Sequence, residues 1–514
     1  MYIYVKNSTV FTLVGLFLVH FFAFSKKEVT ISFSEQLLPY NSPAVEGYLD
    51  RLSFAAPQAG GNGTGTTFIP FSIAGNSKAT TNDLAYAIAV QADGCIVIAG
   101  TTQAPNTNVY FAVARFLPNG ELDPTFGGGS TGAPLGTQYI PFNIAGGALD
   151  QATALAIQPD GKIVVAGTSN SFFAVARFLS NGQLDTSFNE VGAPAIHQGT
   201  QYIPFKISGA GIADTVAALA IQSDGKIVVA GTSSSFFAIA RFLPNGQLDA
   251  SFNEVATPAT YQGTQYINFH IAAGVADTAT ALAIQSDGKI VLVGASRKAG
   301  GGAEYRFALA RFLTTGQLDT SFNQAATPAT HPGTQYVDFN IAGGGSGVNN
   351  ATSVVLQPDS QIVLAGVVNN RVGIARFDTT GQLDLSFGQK GTTLAGTQYV
   401  PFSIVGAGIE QVSCVGLQSD GKILVGGASL YAGWYYSLVR FSATGILDTS
   451  TFGNVGTSKA GTTYISFSIS GQTPYDYATG MAFQPDGKVV LGGYSSNGGG
   501  APFYFSLASF FING

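Results

Sequence analysis

Cysteine, tryptophan, methionine and histidine are all scarce in these 514 residues, at two, one, two and four copies. Two cysteines cannot build the multi-bridge framework of a small disulfide-stapled fold. Cys95 and Cys414 occupy different positions within their repeats, so they read as small packed apolar groups. His20, His197, His270 and His331 are too dispersed to supply a zinc site. Charge is sparse too, at 10% of residues where about a quarter is usual. Acids outnumber bases by 29 to 23, which excludes the basic surface that a nucleic-acid backbone requires.

Long hydrophobic runs are equally rare. One stretch, residues 10–24, has His20 as its sole ionisable side chain and leads into Ala23-Phe24-Ser25 before Lys26 and Lys27. It is shorter than the roughly 20 residues needed to cross a bilayer, and small residues stand where a signal peptidase reads. The expectation is an export signal over 1–25, a linker over 26–48 and a folded region over 49–514. The protein is then secreted, periplasmic or cell-surface, with no membrane span after cleavage. Removing 1–25 leaves 22 basic against 29 acidic residues, a net charge of −7.

What the chain has in excess is glycine, 66 residues, about twice the usual share. Many of these glycines mark a phrase that returns seven times: a small-residue run, Gln, an Asp-Gly turn, then an apolar run. The turn positions are Gly94, Gly161, Gly225, Gly288, Ser360, Gly421 and Gly487, so the spacings are 67, 64, 63, 72, 61 and 66 residues. Units of this length, each packing on its neighbours, explain how 514 residues avoid one oversized core.

The second unit shows what each builds. Residues 153–157 alternate small and branched side chains, Gln158-Pro159-Asp160-Gly161 turns, and residues 162–166 continue almost wholly apolar. Asp-Gly between two such runs is a strong hairpin signal, because glycine accepts the positive φ of the turn. A third strand is expected over 173–178. A fourth follows over 199–205, where Pro204 is best tolerated at a sheet edge.

Four antiparallel strands per unit describe an all-β, seven-bladed β-propeller. The ring is expected to close through its ends: residues 66–71 read as an outer strand, and residues 505–510 as the third strand of unit seven. The N-terminal strand would complete the last blade and remove its open edge.

These residues resemble bacterial delta-60 repeats, whose pattern here is Leu184-Asp185-Thr186-Ser187-Phe188, Gln222-Ser223-Asp224-Gly225-Lys226 and Phe307-Ala308-Leu309-Ala310-Arg311. The resemblance covers residues 49 to 514 and implies a β-propeller in exported or surface proteins, with no family-wide catalytic activity. Departures are local: Ser360-Gln361 replaces Gly-Lys in unit five, Cys95 replaces Lys in unit one, and Ser509 replaces Arg in unit seven.

Eleven residues before each turn position stand Asp83, Asp150, Asp214, Asp277, Asn349, Glu410 and Asp476. At the start of each innermost strand they are expected to ring one channel mouth, either bonded to adjacent loops or attracting a cation such as Ca²⁺. The ring is too wide for opposite acids to share one ion, so no metal is assigned and no cofactor is required. The repeated Arg115, Arg177, Arg241, Arg311, Arg376 and Arg440 are expected to pair with Asp123, Asp185, Asp249, Asp319, Asp384 and Asp448.

A ligand site should break the symmetry, and the breaks concentrate between second and third strands. Arg297 and Tyr305 flank an insertion in unit four, and Tyr431, Trp434, Tyr435 and Tyr436 fall in unit six. Aromatic side chains on such loops stack on sugars or anchor protein partners. The sequence therefore reads as a monomeric, non-catalytic scaffold that binds protein or glycan at one face, with no catalytic residues. The alternatives are a metal-assisted hydrolase or lyase at the channel mouth around Asp83, Asn349 and Glu410, and a passive structural or adhesive repeat protein.

Overall fold

The computed structural model describes residues 2–5, 9–12, 64–69, 82–103, 108–127, 135–140, 150–189, 198–203, 214–254, 262–267, 277–297, 305–324, 332–337, 339, 349–388, 395–400, 410–430, 433–453, 460–465, 475–496 and 503–510. Among them every regular element is a strand. The chain divides into two compact units, 1–51 and 52–514. In the first, Tyr2–Val5 pairs with Thr9–Thr12 as an antiparallel hairpin. Most of the expected export signal and all of the linker 26–48 lie outside the described residues. No helix among the described residues is long and apolar enough to cross a membrane.

The second unit is built from the repeats. In unit two the strands Asp150–Ile157, Ile163–Ser169, Phe172–Phe178 and Thr200–Ile203 pair in sequence order, all antiparallel. Units one, three, four and five form equivalent four-stranded sheets, and units six and seven meet through a single parallel bridge between Trp434 and Tyr475. In unit seven, Thr64–Ile69 supplies the fourth strand, pairing antiparallel with Tyr504–Phe510 so that Thr64 faces Phe510 and Ile69 faces Phe505. The expected pairing of early and late strands is thus present.

The Asp-Gly turn forms as its residues dictate. Gly161 takes φ 81°, its N–H donates to the Gln158 carbonyl, and Asp160 Oδ1 accepts the Lys162 N–H. Ser360 holds the same left-handed conformation at φ 67°, a modest strain for a residue with a Cβ. Each first strand carries a bulge against its second. The bulge presses backbone against backbone, so that a Cβ on Gly167 would come 2.0 Å from the Gln151 carbonyl oxygen. It also aims a side chain at the neighbouring unit: Thr153 Oγ1 donates to the Val216 carbonyl, and Thr280 Oγ1 to that of Ala351.

Between sheets the packing is apolar. One cluster joins Val164, Ala166 and Val175 of unit two to Ile227, Val229 and Phe242 of unit three. Another joins Ile96, Ile98 and Phe116 of unit one to Val490, Phe505 and Leu507 of unit seven.

The repeated arginines pair with the repeated aspartates in all six units that carry them, at 2.6 to 3.0 Å. Each guanidinium also lies over the Phe that follows its Leu-Asp pair, three residues after the Asp in units one to five and four in unit six, 4.4 to 4.8 Å from the ring centre. In units one to five it reaches further and donates Nη1–H to a carbonyl of the next unit, namely Ser180, Pro244, Thr314, Thr379 or Ala443. The residue after that Phe adds a backbone bond across the same seam. Asn189, at φ 57°, donates its N–H to the Asn245 carbonyl at 2.7 Å.

Burial alone would raise the Asp249 carboxyl, but the Ser251 hydroxyl and the Arg241 charge outweigh it and hold the group below its usual value. Since the folded value lies below the unfolded one, this stabilisation is complete above about pH 4 and is lost as pH falls through the folded value. Arg241→Ala is expected to lower the unfolding free energy by about 3 kcal/mol at neutral pH, because it strands a buried carboxylate. Lys226→Ala, removing a side chain that is 26% exposed, costs under about 1 kcal/mol. Denaturant unfolding at pH 7 and pH 3 checks both: the Arg241→Ala deficit should shrink at the lower pH, and equal deficits for the two variants would refute the assignment.

Candidate functional site

The acid series opens the first strands as the spacing predicts. Asp150, Asp214, Asp277, Asn349 and Glu410 are the first residues of their strands, Asp476 is the second of Tyr475–Phe483, and Asp83 immediately precedes Leu84–Val90. Their side chains are buried, none more than 8% exposed. Opposite Asp150, Asp214, Asp277, Glu410 and Asp476 in the strand register stand Ser169, Ser233, Ser296, Ser429 and Ser495. Ser169 Oγ donates to Asp150 Oδ1 and Ser296 Oγ to Asp277 Oδ1, each at 2.5 Å. Where Asn349 replaces the acid, the facing residue is Val368. The acids expected at a channel mouth thus have buried side chains at first-strand starts, and Asp150 and Asp277 accept from second-strand hydroxyls where loop bonds were expected, because an acid buried in an apolar sheet demands a donor. Among the described residues no three His, Cys, Asp or Glu side chains are grouped to hold a metal ion.

The second-to-third-strand connections differ between units. Units two, three and five turn through Asn170-Ser171, Ser234-Ser235 and Asn369-Asn370, each pair at positive φ as in the tightest hairpins. Arg297 and Tyr305 face each other where unit four's insertion begins and ends. Tyr431 lies outside the described residues.

The remaining unit-six candidates separate. Tyr435 packs edge-on against Tyr464 at 5.8 Å, the same placement as Phe172 on Tyr202 and Phe236 on Tyr266. It occupies a packing position repeated from unit to unit. Tyr436 is fully buried at the position of the core residue Phe173 and is no surface contact residue, which corrects the expectation from its loop neighbourhood. Its hydroxyl hydrogen-bonds Ser506 Oγ of unit seven at 2.7 Å, and Ser506 in turn accepts from Ser495. Burial pushes the Tyr436 hydroxyl well above its ordinary pKa.

Trp434 behaves differently. Its ring lies 4.8 Å from Tyr477 of unit seven, and Tyr477 stacks on Tyr494 at 5.3 Å and 22°. Tyr494 meets Tyr86 of unit one edge-on at 6.3 Å and Phe503 at 5.4 Å. This aromatic stack crosses three units and has no counterpart in the repeat pattern. The position of Tyr477 is Leu84, Gln151, Thr215, Thr278, Asn350 and Gln411 in units one to six, and that of Tyr494 is Thr101, Thr168, Thr232, Ala295, Val367 and Ala428. All four rings are partly exposed. Burial pushes the Tyr477 and Tyr494 phenols up to about 12, so both are neutral at physiological pH. Tyr477 and Tyr86 were not among the expected site residues, because they lie within first strands and not in loops. Aligning the seven copies on their Asp-Gly turns exposes them as breaks in the pattern.

One Gly-x-Ser-x-Gly spacing, around Ser130, falls in the segment joining the third and fourth strands of unit one, outside the described residues.

The sequence matches a family described as a "Domain of unknown function (DUF5122) beta-propeller" in seven segments, 91–126, 158–188, 222–252, 285–322, 357–387, 418–450 and 484–503. The chain is a β-propeller repeat protein. The first six segments run from the Asp-Gly turn, Asp-Ser in the fifth, through the two strands beyond to the Leu-Asp turn, and the seventh covers its turn and the strand after it, so the match falls on the motifs that build the blades. No curated protein matches the sequence. Among solved structures, a protein of unknown function from Dyadobacter fermentans aligns at 12% identity and a TM-score of 0.36, covering 87% of this chain and 99% of that one. A polysaccharide lyase of family PL25, an ulvan lyase, aligns at 10% identity and 0.39, covering 88% and 95%. Drosophila Semaphorin 1a, extracellular domains 1-2, aligns at 10% and 0.39, covering 86% and 88%.

Proposed function

We propose that this protein is an exported, seven-bladed propeller of the delta-60 repeat type that binds a protein or glycan ligand without catalysis. The aromatic stack Trp434, Tyr477, Tyr494 and Tyr86 carries the reading. Groups common to the blades are engaged in holding them together, whereas Tyr477, Tyr494 and Tyr86 bring rings to places that are not aromatic in the other units, meet Trp434 at one junction and remain partly exposed. Flat aromatic surfaces beside hydrogen-bonding hydroxyls suit a sugar face or a protein anchor.

Closure of the ring is supported by the contacts between blades seven and one, which repeat those between consecutive blades. Thr479 Oγ1 donates to the Ala85 carbonyl as Thr153 does to Val216. Gln484 Nε2 donates to the Pro118 carbonyl as Gln357 does to Ala443. Asp83 N–H donates to the Phe503 carbonyl as Asp214 does to Ser171.

Three outcomes are expected. Trp434→Ala combined with Tyr477→Ala weakens capture of ligand from a glycan array or cell-surface extract at least ~10-fold with little change in melting temperature, and undiminished capture would remove the stack from the site. Deleting residues 1–69 leaves the edge of Tyr504–Phe510 unpaired, so the melting temperature falls and size-exclusion chromatography shows association; a truncated chain as stable and monomeric as the full one argues against closure. N-terminal sequencing of exported protein finds Lys26 first, and an intact Met1 on the exported chain would make the segment an anchor.

A further inference from the structure

Tyr464 and Tyr475, each 40% exposed, are the most exposed aromatic side chains among the described residues. Both flank the start of one strand, Trp434–Phe441: Tyr464 packs on Tyr435, and Tyr475 bridges to Trp434 across the junction of blades six and seven. Tyr475 and Tyr477 are two residues apart in their strand, so they share a sheet face, whereas Asp476 between them points the other way and is buried. Tyr475 thus stands beside the aromatic stack on its exposed side.

Strand order decides which ring faces a ligand can reach. The third strand of blade six, the first of blade seven and the second of blade seven lie side by side in that order. Trp434 and Tyr494 are therefore on opposite sides of Tyr477 and cover both its faces, at 4.8 Å and 33° and at 5.3 Å and 22°. Beyond Tyr494 come Tyr86 and Phe503. Trp434 ends the stack: its partly exposed ring meets Tyr477 on one side and no ring on the other. The Tyr477 and Tyr494 hydroxyls carry no hydrogen bond from the protein, and both remain protonated at neutral pH.

Charge narrows the choice of ligand. Among the described residues of blades six, seven and one, the acids at this end are Asp83, Glu410 and Asp476, none more than 4% exposed. The other charged side chains of these blades stand at the opposite end, on the Asp-Gly and Leu-Asp turns, as Lys422 does with Asp420 and Arg440 with Asp448. An anionic ligand finds no cation beside the stack, and a cationic one finds no accessible carboxylate. Size points the same way. A protein interface of standard size covers about 800 Å² per partner, whereas a whole aromatic side chain buries only about 150–250 Å². One open indole face with phenols beside it matches a sugar ring.

We propose that the ligand of the aromatic stack is an uncharged glycan, seated with the C–H face of one sugar ring on Trp434 and its hydroxyls against Tyr475 and Tyr477. The proposal rests on the reading that the stack is the ligand site, and it adds the ligand's chemistry and Tyr475 as a contact residue. A sugar ring lays apolar C–H groups on the indole and offers hydroxyl oxygens to neutral phenol donors, so neither partner buries an unmatched charge.

Trp434 is the chain's one tryptophan, so the tryptophan emission of the full chain reports on this site directly. The neutral probes are oligomers of glucose, mannose, galactose and xylose, and the charged counterparts are oligogalacturonate and chitosan oligomers. The expected result is a saturable blue shift and protection from acrylamide quenching with at least one neutral oligomer, while the charged counterparts bind at least ~10-fold more weakly. Tyr475→Ala should weaken that binding ~10-fold with an unchanged melting temperature. The glycan assignment is overturned if no neutral oligomer perturbs the emission, if the charged counterparts bind as tightly, or if Tyr475→Ala binds like the native protein. A purified protein partner that shifts the emission where no neutral oligomer does would overturn the glycan and keep the stack as the ligand site. Captured ligands that all leave the emission unchanged would overturn both.

Discussion

The arginine near the end of six of the seven third strands is the interaction on which the architecture turns. A guanidinium is planar and presents five donors in fixed directions, so it can hold its own blade and a neighbour at once. Arg177 binds the Asp185 carboxylate, lies on the Phe188 ring and donates to the Pro244 carbonyl of blade three. One side chain thereby fixes the Leu-Asp turn, covers an aromatic face and sets the seam between sheets. Lysine could supply the charge but not the fork, which is why the two cations of the repeat have different places. Arginine is buried at the seam, and lysine is more exposed at the turn.

Several polar groups inside the stack occur in matched sets. The aspartate at the start of a first strand faces a serine on the second, and the blade in which asparagine replaces the acid has valine opposite. Blades six and seven show the same rule for an exception. Tyr436 takes the place of a core phenylalanine, and its hydroxyl meets Ser506, which stands where the third strands of units one to four have alanine. A lone hydroxyl there would be costly to bury, whereas a pair bonded to Ser495 is satisfied.

This separation of common from exceptional residues organises the two faces. The strand-start face carries its exceptions in aromatic rings at the junction of blades six, seven and one. The turn face carries the charged pairs that the blades share. The rings are not needed to stack sheets, since other blades stack without them.

Much of this was legible in the residues. The Gln-x-Asp-Gly phrase predicted the hairpins, the small and branched runs predicted the strands, and Arg with Asp at an eight-residue spacing predicted the ion pairs. These are local: a turn needs only glycine's freedom at positive φ, and an ion pair eight residues apart needs only the bend between. What tertiary structure alone decided is which distant residues meet. The acids whose spacing placed them at strand starts face serines because register, not spacing, sets what lies opposite them. Tyr436 became core and Tyr477 joined Trp434 because exposure depends on the neighbouring sheet, which no single repeat encodes. The sequence by itself determined the blade, its turns and its internal pairs. The packing of blade on blade decided which side chains remain to meet a ligand, because burial is a property of two surfaces in contact.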